Sequence, residues 1–222
     1  QRQDEYGGNW ENRLKFPLEV VQAVIEKVGS GYPVMVRVAG NDFMKGSNTG
    51  VETVAFCREL EKLGVAAINV TVGWHETFVP QLTMNVPAGV FTYLAKDVKE
   101  AVSIPVIACN RLNNPLVAEN VLATKQADLI GIARGFLADP QWANKVKAGR
   151  GDEICPCIGC NQGCLDHVFT GKPVTCLANP RVGREKETEI TPSPSPKKIL
   201  VIGGGVAGMM AASTLAKRGH QV

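Results

Sequence analysis

The sequence predicts an α/β fold that joins half of an eight-stranded (β/α)8 TIM barrel to a cysteine-rich segment and the start of a dinucleotide-binding domain. Short β-rich runs alternate with helical patterns up to about Asp152, four closely spaced cysteines follow, and a glycine motif then links an apolar run to a helix. Alternating strands and helices imply parallel strands joined by right-handed crossovers. The predicted parts are residues 1–152 (half barrel), 153–183 (cysteine segment), 184–196 (linker) and 197–222 (dinucleotide-binding unit).

The elements of the first part follow from periodicity and from helix signals. An apolar stripe at helical spacing begins after Asn9 and stops at Gly29. The run from Pro33 to Val38 is almost continuously apolar, which predicts a strand buried on both faces. Thr49 and Glu52 form a capping box that starts the next helix. The remaining predictions are strand 66–72, helix 90–102, strand 104–109, helix 115–124, strand 128–133 and helix 141–147.

Polar residues follow the predicted strands at their carboxyl ends. They are Arg37, Trp74-His75-Glu76, Asn110-Arg111 and Arg134-Gly135. A single one of them could be structural, for example Arg37 paired with a carboxylate or His75 capping a helix. Because a (β/α)8 barrel gathers its active site at this end of its strands, four such ends favour half a barrel over a small doubly wound sheet.

Four cysteines with a distinctive spacing follow the barrel pattern. Cys157, Cys160 and Cys164 lie within eight residues, and Cys176 comes after eleven more. A zinc site built from paired cysteines would separate two C-x-x-C pairs, whereas three crowded thiolates closed by a distant fourth suit a 4Fe–4S cluster. The spacing therefore favours an iron–sulfur cluster over zinc or disulfides. Cys155 lies outside this spacing, and the patterns around Cys57 and Cys109 suggest small buried side chains.

A proline-rich linker at residues 191–196 leads to a glycine motif. The apolar run Ile199 to Ile202 precedes Gly203, Gly205 and Gly208, and a helix follows. This strand–glycine–helix context is the one that a dinucleotide-binding fingerprint requires. The three glycines would allow a tight turn, close approach of a pyrophosphate and close helix packing.

The composition excludes several classes of protein. A hydrophobic content of 45% and a charged content of 20% are typical of a globular domain. The net charge of +3 is too small to indicate binding to nucleic acid or to a membrane surface. Neither a run of 18 apolar residues nor a signal-peptide pattern is present, and we expect a cytoplasmic location. The sequence leaves the oligomeric state open.

The order of the motifs resembles a known family of flavoenzymes. The matching segments are D-E-Y-G-G-N-W-E-N-R at the start, G-W-H-E at residues 73–76, N-R at 110–111, A-R-G-F-L-A-D-P at 133–140, C-I-G-C-N-Q-G-C and G-G-G-V-A-G. Together they resemble the NADH:flavin oxidoreductases of the old yellow enzyme class, in particular the multidomain 2,4-dienoyl-CoA and enoate reductases. Trimethylamine dehydrogenase relatives share this order of parts, but G-W-H-E is more similar to the enoyl-reducing branch.

The resemblance implies cofactors and residue roles. Arg37 would lie beside the ring of an FMN, and Arg134 would bind its phosphate with help from Asn110-Arg111 and nearby backbone N–H groups. His75 matches a substrate-pocket histidine that polarises or protonates the acceptor. Cys157, Cys160, Cys164 and Cys176 match the ligands of the 4Fe–4S cluster, and Gly203, Gly205 and Gly208 match the start of an FAD site. The implied reaction reduces an activated C=C bond with electrons that pass from NAD(P)H through FAD, the cluster and FMN.

The sequence also allows other interpretations. The chain could belong to an amine dehydrogenase of the trimethylamine dehydrogenase type, or it could be an inactive or zinc-bound scaffold. Because the chain opens at Gln1 within a loop-like stretch and stops at Val222 after one β–α pair, we expect an internal fragment. In that case, the tyrosine proton donor of the family would lie in a preceding half barrel.

Overall fold

A four-stranded parallel sheet forms the centre of the chain. The computed structural model describes residues 2–74 and 76–222. The strands are β1 (Met35–Ala39), β2 (Ala67–Thr71), β3 (Val106–Ala108) and β4 (Leu129–Ile130). They lie side by side in the order of the sequence, and each neighbouring pair is parallel. Sequential order is that of a (β/α)8 barrel, whereas a doubly wound sheet changes direction at a switch point. The predicted parallel α/β fold is therefore confirmed.

Helices connect the strands and continue beyond the sheet. They are α1 (Trp10–Val28), α2 (Gly50–Lys62), α3 (Thr92–Lys99), α4 (Pro115–Ala123), α5 (Arg134–Ala138), α6 (Trp142–Lys147), α7 (Leu165–Phe169) and α8 (Val206–Lys217). The side chain of Asn9 caps α1, and Thr49 and Glu52 make both hydrogen bonds of the predicted capping box at α2. Helix α5 was not predicted, because its five residues are too few to display a helical period.

The core lies on one face of the sheet. Val38, Ile68 and Val106 are buried there in a single apolar cluster with side chains of α2 and α3. On the other face, Met35 and Leu129 remain 63% and 51% exposed. The prediction that β1 is buried on both faces is therefore wrong for the described residues. In the described part of the chain, helices cover one side of the sheet, and the other side carries polar side chains that line a cavity.

An ion pair fastens the cysteine segment to the end of the barrel part. Oδ2 of Asp139 accepts hydrogen bonds from Nζ of Lys145 (2.6 Å) and from the backbone N–H of Cys155 (2.9 Å). Nζ of Lys145 also donates to the carbonyl of Glu153 (2.8 Å). Burial alone would raise the pKa of the Asp139 carboxyl. The lysine and the backbone donors outweigh burial, so that the pKa lies below its ordinary value.

The last part of the chain contains α8 but lacks the strand predicted before it. Within the described residues, the run from Ile199 to Ile202 forms no ladder, and the single bridge joins Lys198 to Gln221. Leu200 and Ile202 are 85% and 91% exposed. A strand requires a neighbour along its length, and here the backbone of Gln221 supplies only two hydrogen bonds. No helix in the described ranges combines the length and apolar character needed to cross a membrane.

Replacing the buried carboxylate should weaken this attachment. We expect Asp139→Asn to lower the free energy of unfolding by about 2–3 kcal/mol, because it leaves the Lys145 ammonium without its counter-charge. Folding lowers the pKa of the Asp139 carboxyl. The carboxylate therefore contributes to stability at pH values above its ordinary pKa of 3.8, and this contribution disappears as the pH falls through the pKa of the folded state. Urea unfolding of the wild type and the variant at pH 7 measures the loss of stability, and the same comparison at pH 3 shows whether the loss becomes smaller.

Glu100→Gln is the matched control. Glu100 pairs with Lys96 at 3.6 Å on an exposed surface, so its neutralisation should change stability by less than about 0.5 kcal/mol. If Asp139→Asn and Glu100→Gln lowered the free energy of unfolding equally, a special role for the Asp139 ion pair would be contradicted.

Candidate active site

A cavity of about 500 Å³ opens at the carboxyl ends of all four strands. Its lining includes residues from every strand end, and these are Arg37, Asn69, Thr71, Cys109, Asn110, Arg111, Gly131 and Arg134. The parallel register sets this arrangement, because Arg37 is aligned with Asn69, and Asn69 with Ile107. Three guanidinium groups at one cavity make it basic and suited to an anionic ligand.

A hydrogen-bonded chain holds the first of these arginines. Nη2 of Arg37 donates to Oγ1 of Thr71 (3.1 Å), which in turn donates to Oδ1 of Asn110 (2.9 Å). Arg37 therefore reaches across the sheet from β1 toward the end of β3. Asn110 and Arg111 both have left-handed backbone conformations, with φ of 71° and 55°. Such conformations are unfavourable for residues other than glycine, and they concentrate where a site requires a particular geometry.

Cys109 fills the inner wall of the same cavity. Its thiol donates to Oδ1 of Asn69 (3.3 Å), and burial raises the pKa of the Cys109 thiol although the nearby Arg37 charge opposes this. A Cβ atom added to Gly131 would lie 2.5 Å from the Cys109 sulfur. The absence of a side chain at residue 131 therefore makes room for the thiol.

Arg111 and Arg134 contact the loop between β2 and α3. Nε of Arg111 donates to the carbonyl of Val86 (3.0 Å), and Nη1 of Arg134 donates to the carbonyl of Leu82 (2.7 Å). Nη1 of Arg134 also donates to Oδ1 of Asn161, which lies between two of the predicted cluster cysteines. Both arginines thus line the cavity and also contact neighbouring loops.

A second, smaller cavity lies beside the first and is lined by all four predicted cluster cysteines. Cys157 and Arg134 line both cavities. Cys155 is not part of this lining, and its thiol donates to the carbonyl of Ala178 instead (3.4 Å). Among the described residues, no three Cys, His, Asp or Glu side chains converge as ligands of one metal ion. The four thiol-bearing residues line one shared space.

The glycine motif lies apart from both cavities. Gly203 has a φ of 104°, and a Cβ atom added to Gly208 would lie 1.9 Å from the Gly203 carbonyl oxygen. Gly205 caps α8, and a Cβ atom added there would meet nothing within 4 Å. The three glycines thus combine a left-handed turn at Gly203, a close contact with that turn at Gly208 and open space at Gly205.

The structure brings most of the predicted barrel residues together. Arg37, Asn110, Arg111 and Arg134 share one cavity, whereas His75 lies outside the described residues. Asn69 and Thr71 in the first cavity and Asn161 in the second are not among the predicted site residues. A period-two reading of β2 would have found the first two, because Asn69 and Thr71 are polar and two residues apart within an apolar strand.

A parallel sheet in sequential strand order, with an arginine-rich cavity at its carboxyl edge, is typical of a barrel enzyme, and the charge of that cavity suits an anionic ligand. A family model narrows this class. The NADH:flavin oxidoreductase / NADH oxidase family matches residues 1–153, and the chain belongs to that family.

Known proteins resemble the chain over its whole length. A metal reductase from Desulforamulus reducens is 60% identical over 222 residues, and an NADH oxidase from Thermoanaerobacter brockii is 42% identical over 225 residues. A solved 2-naphthoyl-CoA reductase superimposes on the entire chain with a TM-score of 0.96 and 35% identity. The chain covers 33%, 35% and 34% of these three proteins, so it spans about a third of the length of the relatives it matches.

The fit between residues 109 and 131 can be tested by mutation. We expect Gly131→Ala to cost about 1–3 kcal/mol of stability, because the new methyl group overlaps the Cys109 sulfur. Adding Cys109→Ala should restore part of the lost stability. In a double-mutant cycle measured by urea unfolding, we expect an interaction energy of about 0.5–3 kcal/mol between the two positions. Additive losses would show that the two positions do not share this space.

Proposed function

We propose that this chain forms the FMN- and 4Fe–4S-binding part of an NAD(P)H-dependent oxidoreductase that reduces an activated C=C bond of the enoate or 2,4-dienoyl-CoA type. The observation that carries the proposal is the contact between two cavities of different chemistry. One is basic and lies at the barrel mouth, the other is lined by four thiols, and Arg134 and Cys157 belong to both.

The residues of the barrel-mouth cavity fit an FMN. A flavin mononucleotide carries a phosphate and acquires negative charge on its ring when it is reduced. Arg37, Arg111 and Arg134 supply three fixed positive charges, and guanidinium groups bind phosphate well because they can donate two parallel hydrogen bonds. In the described part of the chain, none of the three pairs with a carboxylate. Their charges are therefore left for a ligand to neutralise.

The second cavity has the donor set of a cubane cluster. Each iron of a 4Fe–4S cluster takes one cysteine thiolate, so the four sulfurs surround the cluster instead of meeting at one ion. In a zinc site, by contrast, all four sulfurs lie about 2.3 Å from the same ion. Cys157, Cys160, Cys164 and Cys176 all line one cavity, and their spacing, three crowded cysteines and a distant fourth, favours the cluster over zinc.

The shared residues indicate how the two sites would be connected. Flavins exchange electrons singly or in pairs and the cluster exchanges one at a time, so the cofactors together can pass electrons from NAD(P)H to an alkene. Cys157 would hold the cluster at the wall nearest the barrel, because it lines both cavities. Nδ2 of Asn113 donates to the Cys157 carbonyl (3.1 Å) and fixes that wall to the loop between β3 and α4.

The ends of the electron route are assigned to motifs. His75 would donate a hydrogen bond or a proton to the acceptor, as the resemblance of G-W-H-E implies. Gly203, Gly205 and Gly208 would hold the pyrophosphate of FAD, because the open approach at Gly205 and the N-terminus of the 12-residue helix α8 suit phosphate groups.

Cysteine variants test the cluster directly. We expect the anaerobically purified protein to contain iron, acid-labile sulfide and a visible absorption that bleaches on reduction. Cys157→Ala should lose most of the iron and sulfide, because one iron loses its thiolate. Cys155→Ala is the matched control, two residues away and outside the lining, and should retain both. If neither variant lost iron and sulfide, or if the protein bound zinc without sulfide, the cluster assignment would be overturned.

The electron acceptor is a separate question, because the relative with 60% identity is a metal reductase. Metal ions are therefore a second candidate acceptor. Methylated amines, offered as substrates, test the alternative that the chain belongs to an amine dehydrogenase. Turnover of an enoate or a dienoyl-CoA by the flavin- and cluster-loaded enzyme supports the proposal. Exclusive turnover of chelated metal ions or of amines would replace it with one of the alternatives, and no turnover by a fully loaded enzyme would favour an inactive scaffold.

A further inference from the structure

The loop between β2 and α3 lies on two arginines of the barrel mouth. The carbonyl of Leu82 accepts a hydrogen bond from Nη1 of Arg134 (2.7 Å). The carbonyls of Val86 and Met84 accept from Nε (3.0 Å) and Nη2 (3.5 Å) of Arg111. Three carbonyl groups of one short segment are therefore held by guanidinium groups.

The loop that carries the cysteines meets the same two arginines from another side. Oδ1 of Asn161 accepts from Nη1 of Arg134, and Nδ2 of Asn161 donates to the Leu82 carbonyl (3.4 Å). A Cβ atom added to Gly159 would lie 2.7 Å from Nη1 of Arg111 and 3.2 Å from the backbone of Met84. Each arginine thus contacts both loops. Arg134 meets the cysteine loop at Asn161, and Arg111 meets it at Gly159.

We propose that the cysteine loop positions the β2–α3 loop over the barrel mouth, with Arg111 and Arg134 as the positioning residues that link them. The inference rests on the proposed function, since it assigns the cluster-binding loop a second role toward the acceptor. The link extends to the segment that contains the G-W-H-E motif, because Nε2 of the buried Gln81 donates to the carbonyl of Trp74 (2.8 Å). A correctly folded cysteine loop is then a condition for an ordered acceptor-binding loop.

The chemistry of the contacts supports positioning. A hydrogen bond from a guanidinium to a carbonyl is stronger than one between neutral groups, yet it leaves the positive charge uncompensated. Arg111 and Arg134 can therefore hold the β2–α3 loop and still attract an anion in the cavity. Carboxylate partners would hold the loop equally well but would cancel the charge.

Two glycines with nearly the same backbone conformation provide a matched test. Gly159 has a φ of 70° and Gly171 a φ of 68°, so alanine causes similar backbone strain at both. Only at Gly159 does the added methyl group meet Arg111 and Met84, because the space around Gly171 is open. The difference between Gly159→Ala and Gly171→Ala isolates the contact between the loops.

Hydrogen exchange of the cofactor-loaded enzyme gives the readout. We expect Gly159→Ala to speed amide exchange within residues 76–86 about tenfold and to raise KM for the acceptor more than it lowers kcat. Gly171→Ala should change neither the exchange rate of residues 76–86 nor the KM for the acceptor by more than about twofold. Both variants should retain wild-type iron and sulfide.

Asn161→Gly provides a second variant at the other link. Glycine accepts the left-handed conformation of residue 161, whose φ is 61°, but it removes the side chain that contacts Arg134 and Leu82. We expect the same local increase in exchange. Unchanged exchange at residues 76–86 in both Gly159→Ala and Asn161→Gly, or an equal increase in Gly171→Ala, would overturn the inference. A wild-type protein without flavin or iron would instead refute the proposed function, and the exchange comparison would still report on the link.

Discussion

The parallel, sequential order of the four strands is the constraint on which the other features depend. Because neighbouring strands run in the same direction, their carboxyl ends lie at one edge of the sheet. Residues that are far apart in the sequence, such as Arg37 and Arg134, therefore line one cavity. The same edge carries the loops that contact the cysteine segment. A strand inserted in the opposite direction would move one polar cluster to the far end and separate the basic cavity from the thiols.

Much of the fold can be predicted from the sequence because its signals are local. The caps at Asn9 and Thr49 are formed by side chains within three residues of their partners, and the strand–helix alternation is visible in the apolar pattern. The strand predicted at residues 199–202 does not form within the described residues, because apolar character shows that a segment could pair but does not supply its neighbour. The one-sided burial of β1 depends likewise on which elements cover the sheet.

The candidate site can be predicted only in part. Arginines directly after strands are conspicuous, whereas the roles of Asn161 and Gly159 depend on contacts between loops that are distant in the sequence. Asn161 meets Leu82 across 79 positions. No local pattern shows that a glycine between two cysteines approaches an arginine of the barrel. The polar pair Asn69 and Thr71 was recognisable in principle, but the apolar residues around it dominated the interpretation of that strand.

In the proposed function, two redox cofactors occupy neighbouring cavities that share Cys157. Anomalous diffraction at the iron edge, from anaerobically grown crystals of the flavin-loaded protein, tests it most directly. We expect four iron atoms among Cys157, Cys160, Cys164 and Cys176, and flavin density in the barrel-mouth cavity beside Arg37 and Arg134. A single metal ion at the cysteines, disulfides between them, or a flavin bound elsewhere would contradict it.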